Sequence, residues 1–409
     1  MNKSIFDIDD ENEYLLFKDN IDINEVDDLG NNALCKSSLS KSEWLIKHGI
    51  NINNQNKIGR SAIFFRSFSQ YPLYIANGAN INLRDFNGRN ILETTDNNKK
   101  IKEMFNAGFV LYDGEDLSYL GFKQTRALIT LLPLDKIKKI KLNYNLKNTN
   151  KQTLLFDIYD VDKVNFLINQ GIDINAKDKQ GNNALLMSNN TVEGSIAVKK
   201  FLVENGIDVN NINKANKSIL HYEKNIEILK ILLDKMNKNT KNIKCKNAGR
   251  TCLFSQNDEI GEILILNGVD VNSRDKEGIP AFKETKSEKI HLLMLEQGLK
   301  INEKDYTGKN LFFYNCINEK IIKEMIKLGG DINALTKNGE NALCHQNEEN
   351  RKVLLKEGIS LDIFKNEKFI GRYPQEFQNF IRCEIIFREK RELDSILSSN
   401  NQLKITKRI

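Results

Sequence analysis

Histidine and cysteine are the side chains of this 409-residue chain best suited to nucleophilic, acid–base or metal chemistry, and their spacing does not support it. No two cysteines form a C-x-x-C pair, and no histidine stands at ligand spacing from a cysteine, which disfavours a zinc site. The motifs of phosphate-binding loops, zinc proteases and serine hydrolases are absent. We therefore expect no enzyme, no cofactor and no metal, with the cysteines present as buried, reduced thiols. The residues concerned are His48, His221, His291, His345, Cys35, Cys245, Cys252, Cys316, Cys344 and Cys383.

Two lysine clusters, at 136–147 and 235–246, could contact phosphate groups. They lack the interleaved aromatic residues on which proteins stack single-stranded bases. A solvated face explains them more simply, so we expect no nucleic-acid partner.

Charge is unevenly distributed along the chain. Residues 1–28 carry a net charge of −8 within a total of +6, which is typical of a solubilising end cap and would also steer a charged partner. Neither a secretory signal nor an apolar run of membrane-spanning length is visible, so we expect a cytoplasmic protein without membrane contact. Asparagine, lysine and isoleucine are abundant, a usage typical of AT-rich genomes, and composition alone gives asparagine no structural role.

One phrase recurs through most of the chain and organises the other features. It consists of an apolar helix, a glycine, an Asp/Asn-Ile-Asn run, a polar stretch, a second glycine and an apolar pair. Clear copies begin at Trp44 (WLIKHGININNQNKIGRSAIF), Phe166 (FLINQGIDINAKDKQGNNALL) and Leu264 (LILNGVDVNSRDKEGIPAF). Neighbouring glycines such as Gly49 and Gly78 stand 29 residues apart. The longer gaps after Gly108 and Gly206 each fit one hidden, degenerate copy.

The repeat predicts an outer helix, which ends at the first glycine, and a finger-like turn, whose second glycine takes a positive φ. One such unit cannot bury its apolar face alone, so successive units must stack and the ends need caps. We expect an acidic N-terminal cap at 1–28, a repeat array at 29–364, and a C-terminal part at 365–409. That last part comprises a capping helix from Gln375 to Leu397 and a frayed tail. The stretch 115–150 fits poorly, as a degenerate repeat or as a joint between two sub-arrays.

These features resemble the ankyrin repeat, in which a helix ending in L-L-x-x-G-A-D-V-N is followed by a finger with D-x-x-G and by T-P-L-H-x-A. The match is close at the helix end and the finger. It is weaker at the third element, where Asn-Ala-Leu (as at Asn32–Leu34) replaces Thr-Pro-Leu. The unit is also shorter than the usual 33 residues, which we interpret as a clipped first helix. The resemblance implies an all-α solenoid of paired antiparallel helices with hairpin-like fingers, in about 11–12 repeats.

The resemblance also implies roles for individual residues. His221 would bond the backbone of a neighbouring repeat, whereas His48 and His291 on outer helices would be solvated and Trp44 would lie in the core. Partners of such arrays bind the concave side, which is formed by fingertips and inner helices. Apolar fingertips are therefore informative, although packing between adjacent fingers would also explain them. The predicted partner-binding residues are Leu29, Ile58, Arg66, Phe68, Phe86 and Tyr306.

These observations predict a non-catalytic scaffold that binds another protein. A stand-alone, asparagine-rich array of this kind suits a bacterial immunity protein that occludes a cognate toxin. The alternatives are a host-directed effector that captures a host protein and an enzyme with attached repeats. The segments that remain for a catalytic fold, 110–150 and 365–409, are too short for the last of these.

Overall fold

The computed structural model describes residues 3–187, 194–254 and 256–406 and divides into two compact units, Met1–Asp208 and Val209–Ile409. Both units are built from helices, and the described residues contain isolated backbone bridges but no β-strand. The first unit contains helices α1 Glu11–Phe17, α2 Leu39–Lys47, α3 Tyr71–Ala76, α4 Asn98–Asn106, α5 Phe122–Leu131, α6 Leu134–Ile137, α7 Val161–Asn169, α8 Ala184–Met187 and α9 Ser195–Glu204. Its 3₁₀ helices are Ile5–Asp7, Lys18–Asn20, Ala33–Cys35, Ala62–Phe65, Phe68–Gln70, Ile91–Thr94 and Leu154–Phe156.

The second unit continues the same alternation of long and short helices. Its α-helices are α10 Ile226–Lys235, α11 Lys238–Lys241, α12 Asp258–Leu266, α13 Glu288–Glu296, α14 Glu319–Lys327, α15 Glu348–Lys356, α16 Glu367–Ile370 and α17 Gln375–Thr406. Its 3₁₀ helices are Ile219–His221, Ala281–Glu284, Leu311–Phe313, Ala342–Cys344 and Asp362–Lys365.

Within each unit the predicted repeat is confirmed, and the clipped element is its inner helix. In a typical copy the inner helix is the single 3₁₀ turn Leu311–Phe313, and the outer helix is α14. Gly329 then ends α14 at φ 84°. A short 3₁₀ turn can replace a full inner helix because its side chains still enter the core: Leu311 and Phe312 are fully buried. The all-α solenoid expected from the sequence is therefore the fold of each unit.

A finger turn closes each repeat around a buried polar side chain. In the turn at Asn56, Oδ1 accepts hydrogen bonds from the backbone N–H groups of Ile58 and Arg60. Asp85 and Asp305 make the same pair of bonds in their own turns. Such bonds offer the backbone a local partner, which explains why Asp or Asn begins nearly every finger.

Backbone hydrogen bonds join consecutive finger turns into a ladder. The amide of Lys57 donates to the carbonyl of Leu29 at 2.9 Å, and the amide of Phe86 donates to the carbonyl of Ile58 at 3.0 Å. In the second unit the same step recurs from Ala215 through to Lys337. The turns are thereby held at a fixed spacing, while the side chains of the bonded residues stay free to face outward.

Asparagine pairs provide a second connection, which we call the asparagine clamp. In the repeat before α14, Oδ1 of Asn302 accepts from the amide of Asp331 at 2.6 Å, and Nδ2 of Asn310 donates to the carbonyl of Asp331 at 2.8 Å. Both backbone groups of one residue are thus held by the preceding repeat. The same arrangement holds Asn51 (by Asn24 and Asn32), Asp208 (by Asn175 and Asn183) and Ser360 (by Asn333 and Asn341).

The clamp corrects the interpretation of asparagine as a product of composition alone. The asparagine of Asn-Ala-Leu donates from its side-chain amide to a backbone carbonyl of the next repeat, as Asn32 does to Asn51. Asn32, Asn183 and Asn341 are all nearly or fully buried. Buried amides require partners, and the neighbouring backbone supplies one.

The N-terminal segment packs directly on the first complete repeat. Tyr14 of α1 stacks on Trp44 with ring centroids 5.2 Å apart, and Trp44 is buried as predicted. The Lys41 ammonium donates to the Phe6 carbonyl and pairs with Asp9. Part of the acidic charge of residues 1–28 therefore serves to attach this segment.

The C-terminal helix is longer than the sequence predicted. Helix α17 continues to Thr406, whereas the sequence predicted an end at Leu397 and a frayed tail beyond it. Phe377 and Ile381 of this helix are buried, and the Arg388 guanidinium donates to the carbonyls of Leu355 and Ile359. From Glu389 to Leu397 the helix is exposed along its whole circumference.

The poorly fitting stretch 115–150 holds α5 and α6 and leads into a finger turn. There Oδ1 of Asn148 accepts from the amides of Asn150 and Gln152, as in intact fingers. Lys151 takes the place of the glycine, with φ 64°. In the finger that follows Gly206, Asn216 takes that place with φ 58°. The sequence signal was lost here because an expected glycine is absent.

Fingertip glycines give a first test of the ladder. An alanine Cβ at Gly59 would lie 2.6 Å from the amide nitrogen of Phe86, whereas at Gly88 it would meet nothing within 4 Å. Both glycines have positive φ, so each alanine carries a conformational cost of about 1–2 kcal/mol. We expect Gly59→Ala to lower the free energy of unfolding by about 3 kcal/mol and Gly88→Ala by about 1 kcal/mol, measured by urea denaturation. Equal losses would contradict close packing between these fingers.

A substitution to glycine tests whether the positive φ of Lys151 costs stability. We expect Lys151→Gly to raise the free energy of unfolding by up to about 1 kcal/mol, because glycine adopts positive φ without a Cβ clash. The same urea experiment measures it. A destabilised variant would show that the φ of Lys151 carries no net strain.

The clamp is tested at its buried member. Asn310→Ala removes the donor to the Asp331 carbonyl from a fully enclosed site, and we expect a loss of about 1–3 kcal/mol in urea denaturation. Asn338→Ala, at an exposed fingertip, is the control and should change stability by less than about 0.5 kcal/mol. Similar small losses in both variants would remove the clamp as a major contribution.

Candidate protein-interaction surface on the finger turns

Four apolar fingertip side chains are exposed, as the sequence predicted. Leu29 is 62% exposed, Ile58 50%, Phe86 72% and Tyr306 67%. Other large apolar residues, such as Leu16 and Leu266, are equally exposed, so what distinguishes these four is their position on the finger turns. Their role in binding a partner stays a prediction.

Leu29, Ile58 and Phe86 lie on three consecutive turns of the first unit, and we call them the apolar finger patch. The ladder connects them directly, since the amide of Phe86 donates to the carbonyl of Ile58. A Cβ placed on Gly59 would lie 2.7 Å from Cδ1 of the Phe86 ring, so the ring leaves room only for glycine there and packing between fingers does occur. It covers only a minor part of the ring, because 72% of Phe86 stays exposed.

Tyr306 occupies the position of Phe86 in a finger of the second unit. Both residues stand two before the fingertip glycine, and the Tyr306 ring lies close to Gly278 as the Phe86 ring does to Gly59. Its amide continues the ladder by donating to the Glu277 carbonyl at 3.2 Å. Tyr306 is therefore an equivalent element in a separate unit.

Arg66 makes hydrogen bonds within the fold, whereas the sequence predicted that it would bind a partner. Its guanidinium donates to the carbonyl of Ser37 at 2.6 Å and also to the carbonyl of Cys35, both in the preceding repeat. The side chain of Phe68 lies outside the described residues. Phe65, which the sequence did not single out, is 44% exposed on the inner 3₁₀ helix of the same repeat.

Two of the histidine predictions need correction. His291, expected to be solvated, is 1% exposed, stacks on Phe282 and has Nε2 3.1 Å from the Phe282 carbonyl oxygen. His48 is half-buried, with Nε2 2.8 Å from an oxygen of Glu11. The prediction for His221 is confirmed, since its Nε2 lies 3.4 Å from the carbonyl oxygen of Arg250 in the next repeat.

The cysteines are less uniformly buried than predicted. Cys35, Cys245 and Cys252 are buried, but Cys383 is exposed on α17. Burial raises the pKa of Cys252 to about 12 and that of Cys35 to about 11, which keeps both thiols protonated. Such thiols are weak nucleophiles and behave as small apolar side chains.

Cys245 replaces the Asp or Asn that begins other fingers. Burial opposes its ionisation, but hydrogen bonds from the backbone amides of Ala248 and Arg250 outweigh this and lower its pKa. The Cys245 sulfur thus accepts the backbone hydrogen bonds that a side-chain oxygen accepts in other turns. Sequence spacing alone could not show this, because the finger is one residue longer than its neighbours.

A row of lysines at the fingertips escaped the sequence analysis. In six turns the residue that donates to the ladder, or that stands at the equivalent position before the glycine, is an exposed lysine. The signal was available in part, because a lysine stands two residues before the second glycine in four of these turns. Asn216 replaces that glycine after Lys214, and Gly249 follows Lys246 by three residues. The six are Lys57, Lys179, Lys214, Lys246, Lys276 and Lys337.

The described residues give two further results on partner classes. No described helix has both the length and the apolar character required to span a bilayer. The described His, Cys, Asp and Glu side chains do not converge in any group of three or more that could hold a metal ion.

Buried histidines predict a pH dependence of stability. Burial lowers the pKa of His291, and its hydrogen bonds to the carbonyls of Phe282 and Thr285 only partly oppose this. Unfolded histidine titrates near pH ~6.5, so below that pH the unfolded state binds more protons and folding is penalised. We expect the urea midpoint to decrease as the pH is lowered from about 7.5 to about 5.5, and to decrease less in His291→Gln.

The pKa values of His221 and His345 are also lowered, so part of the decrease in the urea midpoint should remain in His291→Gln. A His291→Gln protein with the same fall as the wild type would contradict the buried, neutral state of His291.

Comparison with known proteins finds a likeness to an ankyrin repeat protein of known structure. No protein-family model matches the chain. Among solved structures, the crystal structure of EF0377, an ankyrin repeat protein, is similar at 20% sequence identity and a TM-score of 0.34. The match covers 42% of this chain and 91% of that chain. The fold is therefore defined by the repeats, the asparagine clamps and the finger turns of this chain.

Proposed function

We propose that this protein is a non-catalytic, ankyrin-type scaffold that binds another protein through the apolar finger patch. The observation that carries the proposal is the exposure of Leu29, Ile58 and Phe86 on three turns that are hydrogen-bonded to one another. Contiguous exposed apolar side chains are a mark of interaction sites on folded proteins.

The backbone beneath the patch supports this function. Each side chain projects from a turn that is closed by Asx hydrogen bonds and tied to its neighbour by the ladder. Binding to such a surface orders little backbone, so less of the contact energy is lost to conformational entropy. A large aromatic residue, Phe86, is the expected anchor because aromatic side chains dominate interface energetics.

Polar residues surround the patch as a rim. Asp28 precedes Leu29, and Lys57 precedes Ile58, and both charged side chains are exposed. Rim charges contribute mostly to the rate of association and to specificity. The partner surface that fits is therefore an apolar pocket with charges of both signs around it.

Within this function we propose a cytoplasmic immunity role, in which the scaffold occludes the active site of a cognate toxin by contact and charge. The exposed acid Asp28 supplies negative charge beside Leu29 of the patch, which would suit a toxin with a basic surface. Capture of a host protein by a delivered scaffold would use the same surface and is the alternative.

The test compares a variant of the patch with a control at an exposed apolar residue outside the patch. Leu29→Ser, Ile58→Ser and Phe86→Ser are combined in one protein, and Leu16→Ser, which is 79% exposed on α1, serves as the control. The partner is first isolated by affinity capture from the native cell, and its affinity is then measured by calorimetry. We expect the triple variant to bind at least about 100-fold more weakly, since loss of a central aromatic anchor alone costs about 2 kcal/mol or more.

The control should bind within about twofold of the wild type, because exposed residues outside an interface contribute little. If the triple variant keeps full affinity while its urea midpoint is unchanged, the patch is not the binding site. Protection of cells that express a toxin partner separates the immunity role from host capture, because only an immunity protein restores growth of its own strain.

A further inference from the structure

The finger turns of the second unit carry a cationic row. Four of its five consecutive turns present a lysine, and the remaining turn presents Tyr306. The lysines are Lys214, Lys246, Lys276 and Lys337, and all four are exposed. The ladder joins these turns without a break, from the Lys246 amide on the Ala215 carbonyl to the Lys337 amide on the Thr307 carbonyl, at 3.0 and 2.9 Å.

The four ammonium groups are not neutralised by the described part of the chain. None of them has an ion-pair or hydrogen-bond partner there. The acids of the neighbouring turns are engaged elsewhere. Asp275 closes its own turn and pairs with Arg250, and Asp305 closes its turn and accepts from the Tyr314 hydroxyl. Glu277 is the exposed acid of the row, which leaves a clear positive excess.

The ladder also fixes the spacing of these charges. Each step consists of the turn residues from one ladder amide to the next ladder carbonyl, about two residues, and of one hydrogen bond, which together span at most about 10 Å. An extended polypeptide rises about 3.3 Å per residue, so every third residue of such a segment advances by about the same distance. One carboxylate in every three residues would therefore meet one fingertip per repeat.

We infer that the second unit binds an extended acidic segment of a protein along this row of fingertips. The lysines receive the carboxylates, and the exposed Tyr306 ring contacts an apolar side chain of the segment. A single aromatic in the row disfavours a single-stranded nucleic acid, because such proteins stack successive bases on successive aromatic rings. This inference rests on the proposed function only in taking the partner to be a protein, and it concerns a surface separate from the apolar finger patch.

The test uses the full chain and two sets of lysine substitutions. One variant combines Lys214→Gln, Lys246→Gln, Lys276→Gln and Lys337→Gln. The matched control removes the same charge from exposed sites on outer helices, with Lys230→Gln, Lys289→Gln, Lys320→Gln and Lys352→Gln. The probe is a fluorescein-labelled peptide that repeats Glu-Ser-Gly once per turn of the row, and fluorescence anisotropy at about 50 mM salt measures its affinity.

We expect the fingertip variant to lose at least about tenfold in affinity, because four screened charge contacts of a few tenths of a kcal/mol each add to that amount. The control should stay within about threefold, and higher salt should weaken wild-type binding. The combined Leu29, Ile58 and Phe86 variant should bind the acidic peptide normally. Failure of the proposed function and failure of this inference are then seen in different variants.

Three results would overturn the inference. The first is an absence of peptide binding to the wild type, and the second is equal loss in the two lysine variants. The third uses oligothymidylate of the same net charge as a second probe. If it binds the wild type more tightly than the peptide and loses affinity in the fingertip variant, the row is a nucleic-acid site.

Discussion

The asparagine clamp is the interaction on which the regularity of these repeats depends. It fixes both backbone groups of one residue in the following repeat, as Asn302 and Asn310 do for Asp331. Apolar stacking alone is non-directional and would tolerate sliding between repeats. Hydrogen bonds from a buried amide have defined geometry, and a buried polar group without its partner is costly. The clamp therefore selects one register from the many that the apolar core would allow.

The shortened inner helix makes this constraint more important. A single 3₁₀ turn such as Ala342–Cys344 offers few side chains for packing, so each repeat buries less apolar surface than a full helix pair would. The chain compensates with side-chain bonds to the neighbouring backbone. Arg66 reaching the carbonyl of Ser37 and Gln346 reaching those of Phe312 and Tyr314 follow the same principle. Polar residues thus provide directional contacts in places where the inner helix is too short to do so.

The sequence was sufficient to predict the fold because the features that specify it are local and repeated. Glycines that end helices, such as Gly329, and alternating runs such as Ile-Asp-Val-Asn leave a clear pattern. It was insufficient wherever a contact depends on a neighbour some thirty residues away. The burial of His291 on Phe282, the engagement of Arg66 and the exchange of Asp for Cys245 are all of this kind. The exposed apolar fingertips could be predicted, since their positions follow from the turn, whereas the lysine row required alignment of every finger.

The finger ladder explains how one scaffold can present different surfaces. At each ladder step the backbone makes the hydrogen bond, so the bond itself does not depend on which side chain is present. The same position holds Phe86 in one turn, Tyr306 in another and Lys276 in a third, with the same backbone bond in each case. Substitution there changes the chemistry of the exposed surface while the backbone bond beneath it is kept. Phe86 in the first unit and the lysines of the second are therefore different side chains at one position, whereas Leu29 and Ile58 are the residues whose carbonyls accept the ladder bonds.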